Sequence, residues 1–125
     1  MIAIKIKRVF HRRDGYGANY YYKDKWHVPT EEVISIKDLL HESIRDNFTN
    51  YLYRLTSKVV HEGDGAQHGH YFSYLGKGDG LWVKANDRLI DHVDLEEMKA
   101  EEGTIFFYEQ IDSVSSQDVY DNITL

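Results

Sequence analysis

The chain has 125 residues, of which 42% are hydrophobic and 14% aromatic, and this content suits a single domain with one modest core. Fifteen Lys or Arg against twenty-one Asp or Glu give a net charge of −6. The charges are spread along the chain, with no basic stripe, which argues against nucleic acid as the main partner. The absence of cysteine excludes disulfides, cysteine-ligated zinc and thiol catalysis by this chain alone.

The N-terminal third predicts a strand followed by a hairpin. Residues 2–10 largely alternate apolar and polar side chains, as a strand with one buried face does. They lack the long apolar core of a signal peptide or membrane span, so we expect an intracellular protein, cytoplasmic or nuclear. Turn chemistry at 14–17 and the aromatic run 19–22 predict a return strand. We interpret Tyr20-Tyr21-Tyr22 as strand filling rather than a recognition patch.

The middle of the chain predicts a helix and then a long strand. Pro29 marks an extended connection, and residues 35–38 resemble a capping box. Residues 51–61 have strand character, with alternate residues on the two faces, and a glycine-bearing loop follows at 62–66. The expected apolar face of the helix is formed by three residues spaced four apart: Leu40, Ile44 and Phe48.

The C-terminal half predicts a second hairpin, a helix and a final strand. Two short runs, 69–75 and 81–85, are separated by the glycine-rich stretch 76–80, which is typical of a hairpin connection. A short acidic helix is expected within 93–101. A buried strand is expected at 104–108.

Five sequence landmarks in the second half fall in a recognisable order. The landmarks are Tyr-Arg-Leu at 53–55, Val-Val-His-Glu-Gly at 59–63, Gly-His-Tyr-Phe-Ser-Tyr at 69–74, Trp-Val-Lys-Ala-Asn-Asp at 82–87 and Ile-Phe-Phe-Tyr-Glu at 105–109. This order and spacing resembles the histidine box of the ubiquitin-specific proteases, which are cysteine-type deubiquitinases. The N-terminal segments 6–9 and 26–29 also resemble segments of that family, so the likeness spans nearly the whole chain.

The resemblance implies a set of catalytic residues. In the family a thiolate attacks the isopeptide carbonyl, with an imidazole to take the thiol proton and a third group to orient that imidazole. His70 matches the general base and Asn86 the orienting residue, while Asp87 matches an acidic neighbour that assists in polar positioning. The resemblance implies neither a cofactor nor a metal.

The resemblance also implies contacts to the ubiquitin tail. His61 and Tyr71 match residues that touch the tail, and Gly69 matches the position at which the tail backbone approaches closely. The alternatives stay open: His61 as a strand-end histidine, Tyr71 as a buried aromatic and Gly69 as a turn residue. A metal site at His61, His68 and His70 is disfavoured, because no convergent carboxylate accompanies them.

Four residues depart from the family pattern. Ala85 stands where the family usually has an aromatic side chain, and Gly103-Thr104 where it usually has alanine and tyrosine. Packing beneath the site is therefore expected to be looser, unless substitutions elsewhere refill the volume. His68 stands where a glycine is usual, which adds bulk beside the expected path of the tail.

The expected fold is α+β, a mainly antiparallel twisted sheet of about six strands with two short helices, as in the palm of the protease domain. Residues 1–110 would form this palm, with the cysteine-box subdomain absent, and 111–125 a loose acidic arm. The expected function is to supply the base and its orienting residue to a deubiquitinase whose nucleophile lies elsewhere. The alternative is a catalytically dead remnant reused as an interaction module on ubiquitin or on a larger assembly such as a proteasome or ribosome.

Two kinds of partner follow from this interpretation. One is the ubiquitin C-terminal tail or a ubiquitinated protein. The other is a cysteine-box-bearing segment or another protein, which would cover a sheet face that this chain alone leaves exposed. No membrane partner is expected.

Overall fold

The computed structural model describes residues 1–24, 26–47, 50–63 and 69–111. Strands dominate this part of the chain, and the helices within it are short. In chain order the elements are β1 Ile2–Lys5, β2 Val9–Arg13, β3 Asn19–Lys23, β4 Val33–Ser35, a 3-10 helix Lys37–Leu39, α1 Glu42–Arg45, β5 Leu52–Glu62, β6 His70–Gly78, β7 Leu81–Asn86, β8 Leu89–Val93, α2 Leu95–Ala100 and β9 Gly103–Gln110.

Seven of the described strands form one antiparallel sheet in the order β1-β9-β5-β6-β7-β8, with β4 paired to the start of β5. Strands β2 and β3 form a separate two-stranded hairpin. A mainly antiparallel sheet with two short α-helices confirms the α+β expectation. The two strands that carry His70 and Asn86 are neighbours in this sheet.

The core lies on one face of the central strands, where large side chains from β5, β6, β7 and β9 meet α2. Helix α2 begins at an N-cap, Asp94, whose carboxylate accepts the backbone N–H of Glu97, and it buries Met98 completely. The buried cluster consists of Ile36, Tyr53, Leu55, Val60, Phe72, Tyr74, Trp82, Met98, Phe106 and Tyr108.

A bulge in β5 changes which of its residues face this core. The register with β9 shifts between Leu55 and Ser57, so the strict alternation predicted for 51–61 breaks there. Beyond the bulge Lys58 and Val60 are buried in place of Ser57 and Val59. A lysine therefore lies in the core at a position where the sequence pattern predicts an outward side chain.

Several predicted elements differ from those observed. The single strand predicted for 2–10 is two strands, because the chain leaves the main sheet after β1 and pairs with β3 instead. The predicted capping box does not form: the 3-10 helix begins after Ile36 without a side-chain cap, and only the Lys37 N–H reaches Ser35 Oγ, at 3.4 Å. Strands β4 and β8 were not predicted.

Three predictions concern residues beyond the described ranges. Phe48, the last residue of the predicted helix face, lies outside them, as does His68. The predicted acidic arm lies outside them except for Ile111. No helix in the described part of the chain has the length and apolar character needed to cross a membrane.

Candidate active site

The predicted base and its orienting residue come together at one end of the sheet. His70 is the first residue of β6 and Asn86 the last of β7, and the register pairs Ser73 with Ala85. His70 and Asn86 are therefore diagonal neighbours on the same face, within reach of each other. His70 Nε2 is hydrogen-bonded to Asn86 Oδ1.

This hydrogen bond fixes how the imidazole can act. Because Asn86 Oδ1 is an acceptor, Nε2 must carry the proton, and the lone pair of the neutral ring lies on Nδ1. The side chain of His70 is 43% exposed, so Nδ1 can be reached by a group from another chain. The arrangement is a histidine whose tautomer is held by a neutral amide.

Asp87 lies beside this pair but does not join it by a hydrogen bond. Its Oδ2 is 3.8 Å from His70 Nε2, and its side chain is 79% exposed. Asp87 occupies the two-residue turn between β7 and β8 with a φ of 53°, a left-handed conformation that Asp tolerates better than most residues. Its carboxylate can favour a protonated His70 only through a solvent-screened contact.

The predicted tail-binding residues form a second group. The rings of His61 and Tyr71 lie opposite each other on β5 and β6, with centroids 4.7 Å apart. Side chains alternate along β6, so Tyr71 lies on the face opposite to His70. Tyr71 is 62% exposed, so the alternative of a buried aromatic is wrong for this residue.

Gly69 is required by both conformation and space. Its φ is +147°, which L side chains rarely adopt. A Cβ there would lie 2.3 Å from His61 Nε2 and 2.5 Å from the backbone oxygen of Glu62. Because Gly69 has no side chain, the backbone can pass directly beside His61 as it enters β6. Gly69 therefore lies between His70, which follows it in the chain, and His61, which it contacts.

A groove of about 440 Å³ runs along the His61 and Tyr71 side of the sheet. Its walls come from β1, the segment that follows it, the ends of β2 and β3, and the start of β9. Lysines at its rim make it basic. The lining residues are Lys5, Ile6, Lys7, Arg8, Val9, Lys23, His61, Tyr71 and Thr104.

The structure explains one of the departures from the family pattern. A Cβ on Gly103 would meet the ring of Phe106 at 2.3 Å, so the ring fills the space above Gly103. Phe106 is buried in the core, so its ring fills the space beside Gly103, one of the refilling substitutions that the sequence left open. Ala85 is half-buried and pairs with Ile90 of β8.

Sequence reasoning missed a buried ionic cluster near the groove. The guanidinium of Arg8 donates to the backbone oxygens of Gly103 at 3.1 Å and Trp26 at 2.6 Å, and to Glu102 at 3.2 Å. Glu102 also accepts from His27 Nδ1 and from the Val28 N–H. One feature of the sequence could have indicated this cluster: Arg8 occupies a position of the alternating pattern at which Ile4, Ile6 and Phe10 are apolar.

Metal ligands do not converge in the described part of the chain. No group of three His, Asp or Glu side chains there could hold an ion. His68, one member of the disfavoured metal trio, lies outside the described residues.

Comparisons with known proteins identify the family. The profile of the family described as ubiquitin carboxyl-terminal hydrolase matches residues 1–108. Ubiquitin carboxyl-terminal hydrolase 44 of Ailuropoda melanoleuca is 30% identical over 97 residues, which are 75% of this chain and 14% of that protein. Ubiquitin carboxyl-terminal hydrolase 8 of Saccharomyces cerevisiae is 26% identical over 112 residues, 86% of this chain and 23% of that protein.

Among solved structures, the SAGA Ubp8/Sgf11/Sus1/Sgf73 DUB module bound to ubiquitin aldehyde has a chain that matches with a TM-score of 0.71 and 22% identity. The match covers 90% of this chain and 24% of that one. This likeness shows the fold.

The fold and the matched family define part of a ubiquitin carboxyl-terminal hydrolase domain, in a chain that contains no cysteine. The chain belongs to the ubiquitin carboxyl-terminal hydrolase family, among relatives of the ubiquitin-specific protease type. It spans 11% and 4% of the length of the first two curated relatives, ubiquitin carboxyl-terminal hydrolase 17-like protein D of Mus musculus and ubiquitin carboxyl-terminal hydrolase 42 of Homo sapiens.

Proposed function

We propose that this chain supplies the general base and its orienting amide to a ubiquitin-specific cysteine protease whose thiol lies on another segment. The observation that carries the proposal is the hydrogen bond from His70 Nε2 to Asn86 Oδ1, which leaves Nδ1 as the basic nitrogen. The proposed setting is the cytoplasm or nucleus, with a ubiquitinated protein as the substrate.

In this mechanism the thiol proton moves to Nδ1 of His70, and the thiolate attacks the carbonyl carbon at the ubiquitin C-terminus. His70 then gives that proton to the departing amine as the carbon–nitrogen bond breaks. The same nitrogen then deprotonates a water that attacks the thioester carbonyl carbon, and the carbon–sulfur bond breaks as His70 returns the proton to the sulfur, which releases ubiquitin with a free carboxylate. Asn86 holds the imidazole throughout, while Asp87 adds a weak, screened attraction to its protonated form.

His61, Gly69 and Tyr71 are proposed to line the path of the ubiquitin tail. Two features support this: the exposed ring of Tyr71 beside His61, and a groove of about 440 Å³ along both rings. Gly69 keeps this path open at the point where the chain turns into the strand that carries His70.

Reconstitution tests the catalytic proposal. The chain is mixed with the cysteine-bearing segment of a relative, such as ubiquitin carboxyl-terminal hydrolase 8 of Saccharomyces cerevisiae, and with a ubiquitin probe that reacts with an activated thiol. We expect labelling of the cysteine to depend on this chain, to be lost in H70A and to slow by more than about tenfold in N86A.

The matched control is H92A, which removes an exposed histidine from β8. This variant should label like the wild type. Labelling that survives H70A, or that never depends on this chain with any cysteine-bearing partner, would overturn the catalytic proposal.

The second candidate is a non-catalytic interaction module, favoured by the absence of cysteine from the chain. Under this alternative the chain binds ubiquitin, or a larger assembly such as a proteasome or ribosome, without activating a thiol. Calorimetry would then show ubiquitin binding that Y71A weakens, together with no probe labelling in any reconstituted mixture. Labelling that requires His70 would exclude it.

A finer likeness within the family is also proposed. The turn Gly78-Asp79-Gly80 ahead of Trp82 resembles that of the herpesvirus-associated ubiquitin-specific protease. Three successive left-handed residues, with φ of 85°, 55° and 76°, support a specific turn rather than a loose loop. Superposing an experimental structure of this turn on that of the herpesvirus-associated protease would test the likeness.

A further inference from the structure

Lys23, the last residue of β3, reaches from the two-stranded hairpin to the end of β5. Its Nζ donates to the backbone oxygen of His61 at 2.7 Å and to that of Gly63 at 3.0 Å. Lys23 is half-buried. The two hydrogen bonds therefore tie a hairpin that pairs with no strand of the main sheet to the residue that carries one ring of the proposed tail path.

Strand β5 lacks a neighbour on one side at this point. Its register with β9 ends at the pair Val60 and Gly103, whereas its pairing with β6 continues to Glu62. Among the described residues, the end of β5 is thus flanked by a strand only on the β6 side. Backbone oxygens there need donors from elsewhere, and the ammonium of Lys23 supplies charge-assisted hydrogen bonds to two of them.

The end of β5 packs tightly against the start of β6. A Cβ at Gly69 would lie 2.3 Å from His61 Nε2 and 2.5 Å from the backbone oxygen of Glu62. On its other side the His61 ring contacts Tyr71, with centroids 4.7 Å apart. A small shift of the end of β5 would therefore press His61 against Gly69 or separate its ring from that of Tyr71.

The part of the hairpin that carries Lys23 is itself anchored. The Asp24 N–H donates to the backbone oxygen of Arg8 at 2.5 Å. The Arg8 guanidinium in turn binds Gly103 and Glu102 at the start of β9. Lys23 thus extends from a fixed base, which a side chain needs if it is to hold a binding site in one geometry.

We propose that Lys23 is a positioning residue of the ubiquitin site. Its ammonium holds the end of β5 so that the His61 ring stays against Gly69 and Tyr71, and the groove beside them keeps the shape that the ubiquitin tail requires. This inference rests on the proposed tail path. Lys23 acts on the backbone of β5 and not on the hydrogen bond of His70, so it should affect ubiquitin binding rather than proton transfer.

Probe kinetics in the reconstituted enzyme test this role, because the half-saturating probe concentration reports binding and the maximal labelling rate reports chemistry. K23M removes the donors and keeps an unbranched side chain. We expect it to raise the half-saturating concentration at least about fivefold and to leave the maximal rate within about twofold. K23R, which keeps charge and donors, should restore most of the affinity. K77M, at an exposed lysine of β6, is the control and should match the wild type.

Two measurements on the full chain alone separate this inference from the catalytic proposal. Calorimetry with ubiquitin compares the same affinities without a thiol. In nuclear magnetic resonance spectra, K23M should shift the imidazole signals of His61 and weaken its Overhauser contact with the Tyr71 ring, whereas K77M should change neither. Circular dichroism verifies that each variant melts like the wild type.

Three outcomes would overturn the role of Lys23. Unchanged His61 signals in K23M would show that the ammonium does not hold β5, whether or not the mixture labels. A loss in the maximal rate alone would place Lys23 in the chemistry. An equal loss of affinity in K5M, which removes another lysine from the groove, would show that the charge of the groove is responsible.

Discussion

Lys58 places a cation in the core. Its side chain is fully buried, and Nζ donates to Thr30 Oγ1 at 2.7 Å and to the backbone oxygen of Met98 at 2.5 Å. The rings of Tyr74 and Phe106 lie about 6 Å away. Burial outweighs the attraction of Glu101 and Glu102 and lowers the pKa of Lys58 to about 8.

This lowered pKa predicts an alkaline gain in stability. The unfolded chain keeps the Lys58 proton up to a pKa of about 10.5, so between pH 8 and 10 the unfolded state binds more protons than the folded state. The free energy of unfolding should therefore rise by about 2 kcal/mol over this interval relative to K58M, measured by urea denaturation.

The measurement should stop near pH 10, because burial raises the pKa of Tyr74 from 10.0 to about 12. Above pH 10 the unfolded chain loses the Tyr74 proton more readily than the folded chain, so the fold loses stability as the pH rises. K77M, at an exposed lysine, is the control and should keep the wild-type slope. A wild type whose slope equals that of K58M would contradict the buried, proton-releasing lysine.

Asp87 combines a turn conformation with a position beside His70, and substitutions can separate the two. D87N keeps a residue that tolerates a φ of 53°, so the free energy of unfolding should change by less than about 0.5 kcal/mol. D87A should lower it by about 1 kcal/mol, as measured by urea denaturation, because alanine is strained there.

In the reconstituted enzyme D87N should slow probe labelling less than N86A does, since its carboxylate is exposed and 3.8 Å from the ring. A larger loss in D87N than in N86A would transfer the orienting role to Asp87.

At the residue scale the family resemblance named His70, Asn86 and Asp87, and the structure brings them close together because the ends of β6 and β7 lie side by side. Their catalytic role stays a prediction. Lys58 could not be predicted as buried, since the bulge after Leu55 reverses the inward and outward sides of β5. Nothing in the alternation of apolar residues marks a bulge.

At the scale of elements, Glu102 fastens the segment after β3 to the start of β9. Its carboxylate binds Arg8, His27 and the Val28 N–H. Burial alone would raise the pKa of Glu102, but the hydrogen bonds from His27 and Val28 and the charges of His27 and Arg8 outweigh it and lower the pKa. The cluster holds the N-terminal wall of the groove against the main sheet.

E102Q should lower the free energy of unfolding at pH 7 by about 2 kcal/mol, because it leaves the buried Arg8 without a counter-charge. A carboxyl with a lowered folded pKa stabilises the fold above its unfolded pKa, and this contribution is lost as the pH falls through the folded value. Urea denaturation should therefore show the wild type and E102Q converging below about pH 4.5. The control E96Q, in the first turn of α2, should stay within about 0.5 kcal/mol of the wild type.

Elements with strong local signals were predicted, and those defined by long-range pairing were not. The hairpin of β6 and β7 follows from its glycine-rich turn, and α2 from its acidic start. Strand β8 has only five residues, and the polar pair Asp91-His92 interrupts its alternation, so it becomes a strand only by pairing with β7. The break between β1 and β2 depends on Arg8 turning inward to Gly103 and Glu102.

At the scale of the molecule, the sheet ends in strands whose outer edges are unpaired within the described residues. Strand β8 is one such end, and it exposes Leu89 by 66% and Ile90 by 62%. An apolar, exposed edge is a template for pairing with another chain. This agrees with the expectation from the sequence that the chain alone leaves sheet surface uncovered.

We therefore expect the isolated chain to self-associate through β8, with a sedimentation coefficient that rises with protein concentration. The double variant L89S/I90S should remove most of this dependence, since the edge loses its apolar side chains but keeps its place beside β7. L39S, which changes an equally exposed leucine on the 3-10 helix, should leave the dependence intact. A wild-type chain that sediments as a monomer at every concentration would show that the β8 edge is not adhesive. Self-association lost equally in L39S would show that general surface hydrophobicity drives it.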